Sequence, residues 1–284
     1  MKENWVPLKY DLMAKKVFGD KNNTKPIKYL LKQILDIEAK SIKVLNNEIV
    51  GIPYKDKKYS VDLLVEIENK VLIGVEINTD VSTKIIDRNI FYMARIMSRD
   101  LKPNEDYSNL KKHIQINFDF EGYHERGIMR YKLRDEKTGV ILTEKMEIIR
   151  IDVPYFYDRC YNKDASRKEK FIGLFNEENK IKAKELIVGD EDMKEIYDKV
   201  EEYSDDIIGL YDVESHKREN YKAKMEELEK ESIERGMQKG IEKGIEKTKT
   251  VMVKNMISKN LSLELISEIS GLSIDEINKL NENE

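Results

Sequence analysis

One cysteine in 284 residues, Cys160, excludes an internal disulfide and fits a reducing cytosol. Long apolar runs are missing as well. No stretch approaches the ~20 residues that a membrane span needs, and the N-terminal MKENWVPLKY lacks the apolar segment of a signal peptide. The expectation is a cytoplasmic protein with no membrane partner. Histidine is scarce: His113, His124 and His216 stand far apart and show no metal-ligand spacing, which argues against a zinc centre.

What the chain has instead is charge. Apolar residues make up 40% and charged residues 37%, the balance of a globular protein with long exposed helices. The net charge of −4 is unevenly spread. Residues 1–160 carry 29 Lys and Arg against 25 Asp and Glu, whereas residues 161–284 carry 22 against 30. The first part is suited to meet a polyanion, and the second would repel one.

A helix is expected from Asp11 to Phe18, stopping at Gly19-Asp20. Thr24 is placed to cap a second helix with Pro26 in its first turn and an apolar stripe of Ile27, Leu30, Leu31, Ile34 and Leu35. Strand signals follow at 42–45, 48–53, 59–67 and 71–78, the last two rich in Val, Ile and Leu. Residues 82–99 read as a helix with Ile86, Ile90, Met93 and Met97 on one face. Lys84, Arg88, Tyr92, Arg95 and Arg99 return to the opposite face. Further strands are expected at 113–120, 128–134 and 144–152, and helices from about Ala165 to the end.

From Met225 the chain becomes a charged helical arm containing the tandem GMQKGIEKGIEK, residues 236–247. Glycine at every fourth position costs a helix roughly 1 kcal/mol each against alanine. Two readings stand: a low-complexity arm, or close helix–helix contact along the glycines with Met237, Ile241 and Ile245, hence a homo-oligomer. The tail NLSLELISEISGLSIDEINKL reads as two short helices, one ended by Gly271 and the next started by a Ser273/Glu276 capping box. The layout has the outline of a helix-turn-helix. Asp275 and Glu276 stand where base contacts would be made, so a packing or dimerisation element is the preferred reading.

The chemistry concentrates in VDLLVEIENKVLIGVEIN, residues 61–78. Side chains alternate along a strand, so Asp62, Leu64 and Glu66 share one face, and Gly74, Glu76 and Asn78 share one face of the next strand. With a three-residue loop over 68–70, Ile67 pairs with Val71 and Asp62 lies opposite Glu76, with Cβ atoms ~4.5–5.5 Å apart. A two-residue loop would put the acids on opposite faces. Two facing carboxylates repel, and a divalent cation such as Mg²⁺ relieves that with hard oxygen ligands. A structural alternative is an acid at the rim or one paired with Lys or Arg.

The order of elements adds a resemblance. DLMAKKVFGDKNN from Asp11, the hairpin from Val61, RNIFYMARIMSRDLKPNEDYSNLKKHIQINFDF from Arg88 and LTEKMEIIRIDVP from Leu142 resemble the PD-(D/E)XK nuclease-family transposases, the Rpn-type recombination-promoting nucleases. The GIEKGIEK arm and the two-helix tail resemble them too. The resemblance implies an α/β, restriction-endonuclease-like fold: a mixed central sheet with an αβββαβ core and a helical C-terminal region. It divides the chain into a nuclease-like domain over 1–160, a helical region over 161–224 that packs on or extends the core, and the arm and tail over 225–284.

The same resemblance maps the metal-binding acids onto Asp62 and Glu76. The last catalytic position, usually Lys and in many Rpn-type members Gln, falls on Asn78, which is shorter and uncharged. The activity implied is Mg²⁺- or Mn²⁺-dependent hydrolysis of duplex DNA, with the Ile77 carbonyl as a third metal ligand and Asn78 orienting water. Asp11 is either an outer ligand or an acid favoured by a helix N-terminus. The stripe Lys84, Arg88, Arg95 and Arg99 either touches phosphates or is a solvated face, and Arg88 is also a candidate partner for Glu76 or Asp80. The alternative to an enzyme is a weakened or inactive member acting as a DNA-binding or protein-interaction module.

Overall fold

A computed structural model describes residues 4–45, 48–49, 59–79, 83–121 and 127–282. Helix α1 (Asp11–Phe18) buries Met13, Ala14, Val17 and Phe18. Helix α2 (Lys25–Leu35) buries its whole expected stripe. Thr24 holds the N-cap position of α2, but its side chain makes no capping bond. Asn23 Oδ1 instead accepts from the Lys25 N–H at 3.2 Å.

Strand β1 (Ile42–Val44) is followed by a small antiparallel pair, β2 (Glu48–Ile49) and β3 (Tyr59–Ser60). The remainder of the strand expected over 48–53 lies outside the described residues. The hairpin of β4 (Leu63–Ile67) and β5 (Val71–Asn78) has the three-residue loop, with Ile67 paired to Val71. Glu68 and Asn69 turn the chain at φ 50° and 55°, and the Lys70 N–H closes onto the Ile67 carbonyl at 2.9 Å. One expectation is corrected: the strand over 59–67 is not continuous. Val61 and Asp62 leave the ladder between β3 and β4. Val61 turns into a small cluster with Leu64, Leu72 and Ile96, and this breaks the strand beside the acid.

Helix α3 (Thr83–Met97) then crosses back, so β6 (Lys112–Asp119) lies parallel to β5, as a strand–helix–strand unit requires. Strand β8 (Met146–Asp152) is parallel to β6, and β7 (Ile128–Tyr131) closes the edge antiparallel to β8. The sheet order is β1-β4-β5-β6-β8-β7. On one face Ile73, Val75, Ile77, Ile114, Ile116 and Phe118 meet α1, α2 and the later helices in a single core. Helices α4 (Val153–Tyr157), α5 (Arg167–Leu174), α6 (Lys180–Leu186) and the start of α7 (Glu191–Ser258) supply Phe156, Phe171, Phe175, Leu186 and Ile196 to it. Phe118 stacks on Phe175 with ring centroids 4.3 Å apart.

Contacts divide the chain into two units, Met1–Asp212 and Val213–Glu284. In the second, α7 continues as one helix through Gly236, Gly240 and Gly244. Helices α8 (Leu263–Ser270) and α9 (Ile274–Glu282) pack with the last turns of α7 through Val253, Ile266 and Ile277. Gly271 ends α8 at φ 71°, and Ser273 and Glu276 form the expected capping box. Among the described residues no helix is long and apolar enough to cross a membrane.

Candidate active site

The second face of the sheet is polar except where Leu64 and Leu72 meet Ile96 of α3. The register sets Glu76 beside Asn117 and Arg150, and Asn78 beside Asp119 and Asp152. Helix α3 covers this face, and that explains its orientation. Its buried residues are Asn89, Met93 and Ile96, whereas Ile90 is 48% exposed. The apolar face expected from Ile86, Ile90, Met93 and Met97 is therefore corrected by about 60° of rotation, at 3.6 residues per turn. The floor beneath the helix carries amides and carboxylates, so the helix turns an asparagine and an arginine toward it.

Asp62 and Glu76 converge. Because Asp62 sits in the break before β4, its carboxylate replaces the missing strand at the edge of β5: Oδ2 accepts from the Ile77 N–H at 2.8 Å. In return the Asp62 N–H donates to Glu76 Oε1 at 3.3 Å. A strand residue sends its N–H and carbonyl to the same edge, so the Ile77 carbonyl also leaves β5 on the Asp62 side. The Asn78 carbonyl faces β6, where it accepts from the Phe120 N–H.

Each acid has a cation. Lys15 Nζ from α1 lies 2.9 Å from Asp62 Oδ1 and 3.3 Å from Asp11 Oδ2. Arg88 Nη2 from α3 lies 3.3 Å from Glu76 Oε2 and donates to Asn78 Oδ1 at 3.1 Å. The two partnerships are unequal. Glu76 is 3% exposed, and its pKa is pushed up to about 8, by burial first and by the Asp62 charge second, with Arg88 offsetting only part. Burial also works against the charge on Lys15, but Asp62 and Asp11 outweigh it and hold its pKa above the ordinary lysine value.

Asn78 is bound at both ends. Its Nδ2 donates to Asp119 Oδ1 at 3.0 Å while its Oδ1 takes the Arg88 bond. Asp119 in turn accepts from Arg150 Nε at 2.8 Å. Asn89 Nδ2 donates to Asn117 Oδ1 at 2.6 Å, and Asn117 Nδ2 reaches the Ile149 carbonyl at 3.2 Å. A connected polar chain thus runs from Asp11 through Lys15, Asp62, Glu76, Arg88, Asn78 and Asp119 to Arg150, with the two acids Asp62 and Glu76 adjacent at its centre.

The other expected residues separate. Asp11 accepts from the Leu12 N–H at 2.8 Å, the posture of a first-turn acid, and touches the site only through Lys15. Arg88 belongs to the acid pair. Arg95 lies over the Phe91 ring at 5.8 Å; Lys84 is exposed on α3, and Arg99 is exposed in the turn that follows it. Asp80 and His124 lie outside the described residues. Sequence reading did not pick out Lys15, Asn89, Asn117, Asp119 and Arg150. A signal for two of them was present in HIQINFDF, whose alternate residues His113, Gln115, Asn117 and Asp119 are all polar and all buried. Gly74 belongs to the same face: a Cβ there would meet Gln115 Oε1 at 2.5 Å.

The donor set fits a hard divalent ion. Two carboxylates and a backbone carbonyl are oxygen ligands, and burial together with the Asp62 charge pushes the Glu76 pKa up to about 8, a cost that a bound cation would offset. Among the described residues no group of three or more His, Cys, Asp or Glu forms a metal cage.

The family model of the PD-(D/E)XK nuclease family transposases matches residues 8–229, from the strand-less N-terminal segment through the site and into α7. The chain belongs to this family, and its mixed six-stranded sheet is the restriction-endonuclease-like fold. Membership carries a nuclease-type function. No curated protein and no solved structure matches the chain.

Proposed function

We propose that this family member is a metal-dependent DNA endonuclease that hydrolyses phosphodiester bonds in duplex DNA. The observation that supports it most is the convergence of Asp62 and Glu76, one buried and under-compensated, on the edge where β4 has ended and β5 continues. Asp62, Glu76 and the Ile77 carbonyl are the groups that would hold Mg²⁺ or Mn²⁺. The chemistry such an ion supplies when bound is polarisation of a phosphoryl oxygen and a lowered pKa for bound water.

The protein's own groups do the rest. The Ile77 N–H fixes the Asp62 carboxylate, and the Asp62 N–H fixes Glu76, so neither acid needs to reorganise. Asn78 holds the Arg88 guanidinium beside Glu76 and ties it to Asp119. In this reading Asn78 acts by positioning Arg88, because both ends of its amide are engaged. Lys84 and Arg95 of α3, with Arg99 in the turn after it, are suited to backbone phosphates without base reading.

A second reading has its own support. Lys15 and Arg88 already pair with the two acids, and Asn78 brings no charge, so a DNA-binding module with weakened or absent cleavage is consistent with the same contacts. One experiment separates the two. Supercoiled plasmid is incubated with the intact protein in Mg²⁺ or Mn²⁺ beside Asp62→Ala. Nicking or linearisation that Asp62→Ala abolishes is the expected result. Cutting that persists in that variant would remove the site assignment. Binding without cutting in either metal would favour the second reading.

A further inference from the structure

Beside Asp62 lies a cavity of about 160 Å³ whose lining includes Lys15, Gly19, Lys21 and Asp62. That is many times the ~10–15 Å³ that one water needs. Two lysines from α1 and its following turn therefore flank an opening next to one of the two site acids, with Val44, Leu45, Leu63 and Leu64 completing its wall. The cations of the site are not equivalent. The Arg88 guanidinium is engaged by Glu76, Asn78 and Asn89 together. The Lys15 ammonium has three donors, and Asp62 and Asp11 take two of them.

We propose that Lys15 is a further catalytic residue, the cation that contacts the non-bridging oxygen of the substrate phosphodiester in this cavity. The inference rests on the hydrolytic reading above and deepens it. Position 78 supplies a neutral amide whose hydrogen bonds are spent on Arg88 and Asp119, so it brings no positive charge to a phosphate. Lys15 brings that charge from a different element, on a side chain 28% exposed at the cavity wall. Asp11 keeps the ammonium in place from one turn below, which gives that acid a role without making it a metal ligand. Lys21, on the same cavity, adds positive charge for an adjacent phosphate. The contact is to the backbone, so it carries no sequence preference.

The test uses the full chain and a short fluorescent duplex, titrated between 50 and 200 mM salt, without metal and with Ca²⁺. A lysine that meets one phosphate contributes about one unit to the salt slope. Lys15→Met and Lys15→Gln are expected to lower the slope by about one and the affinity by roughly tenfold, with Lys15→Arg close to wild type. The control is Lys16→Gln, the next residue of α1, whose ammonium lies over the Tyr203 ring at 5.0 Å; it changes net charge equally and is expected to leave the slope alone. Single-turnover cleavage in Mg²⁺ is expected to fall on the order of 100-fold in Lys15→Met. An unchanged slope in folded Lys15→Met or Lys15→Gln, or an equal drop in Lys16→Gln, overturns the contact. Wild type that binds but never cuts, with the slope still lowered by Lys15→Met, keeps the contact and sinks hydrolysis. Wild type that binds no duplex sinks both.

Discussion

Strands β5 and β6 carry two different proteins on their two faces. Toward α1 and α2 the side chains are Ile73, Val75, Ile77, Ile114, Ile116 and Phe118, in one core with the aromatic cluster of α5. Toward α3, beside Leu72 that packs with Ile96, they are Glu76, Asn78, His113, Gln115, Asn117 and Asp119, all buried as well. The two faces are one residue apart along the same chain. Burial is equal, so the difference lies in what burial does. On the apolar face it stabilises, at roughly 25 cal/mol per Å². On the polar face every group needs a partner, and the charge of Glu76 is only partly offset by Arg88.

The comparison breaks most visibly at Phe118, the residue between Asn117 and Asp119. Its ring stacks on Phe175 and is fully buried. Phe118→Ala is expected to cost about 3–5 kcal/mol through lost transfer energy and the cavity left behind. Urea unfolding checks this. Duplex binding per folded molecule should stay near wild type, because no site group leans on that ring. A loss below about 1 kcal/mol would mean that the apolar face is not where the stability resides.

Glu76 sharpens the comparison through its sign. Its pKa is raised from the ordinary 4.5 to about 8 by burial and by Asp62. The folded state therefore binds more protons than the unfolded state between those values, and stability from this group falls as pH rises from about 4.5 to 8. In chelator, Glu76→Gln should stabilise the protein at pH 9 by roughly 4 kcal/mol relative to its effect at pH 5. Divalent ion should erase the advantage, because ligand binding to the folded wild type restores what the buried charge costs. Parallel melting curves of wild type and variant at the two pH values, with and without Mg²⁺, read all four corners. A Glu76→Gln effect independent of pH would show that the carboxylate is already compensated.

How much of this was legible in the sequence differs between the faces. The apolar face announced itself: the α2 stripe and the hairpin with its three-residue loop follow from local periodicity and turn chemistry. So, in the second unit, do the Gly271 stop and the Ser273/Glu276 box of the tail. The acid pair was also readable, since loop length sets register and register sets the face. The break at Val61–Asp62 was not, because it depends on Val61 finding Leu64, Leu72 and Ile96 in the fold. Nor was the roll of α3, because the periodicity of a helix shows its apolar residues and not whether the surface beneath it is polar. Lys15 lies 47 positions from Asp62 in the chain, and nothing local marks that pairing.

His113 tests whether the polar face is costly as a whole or only at Glu76. It is 2% exposed at the start of β6, registered between Leu72 and Met146. Burial pushes its pKa down to about 4, with Asp100 pulling part of the way back. The sign is opposite to that of Glu76. Between about pH 4 and 6.5 the unfolded state binds the extra proton, so the contribution of His113 to stability is lost as pH falls through that window. His113→Leu should therefore stabilise the protein at pH 5 by roughly 2 kcal/mol relative to its effect at pH 8. Held beside Glu76→Gln, the two variants should tilt the pH–stability curve in opposite directions, one flattening its acid limb and the other its alkaline limb. If His113→Leu gives the same shift at both pH values, the imidazole is satisfied in both protonation states, and the strain of the polar face is confined to the acid pair.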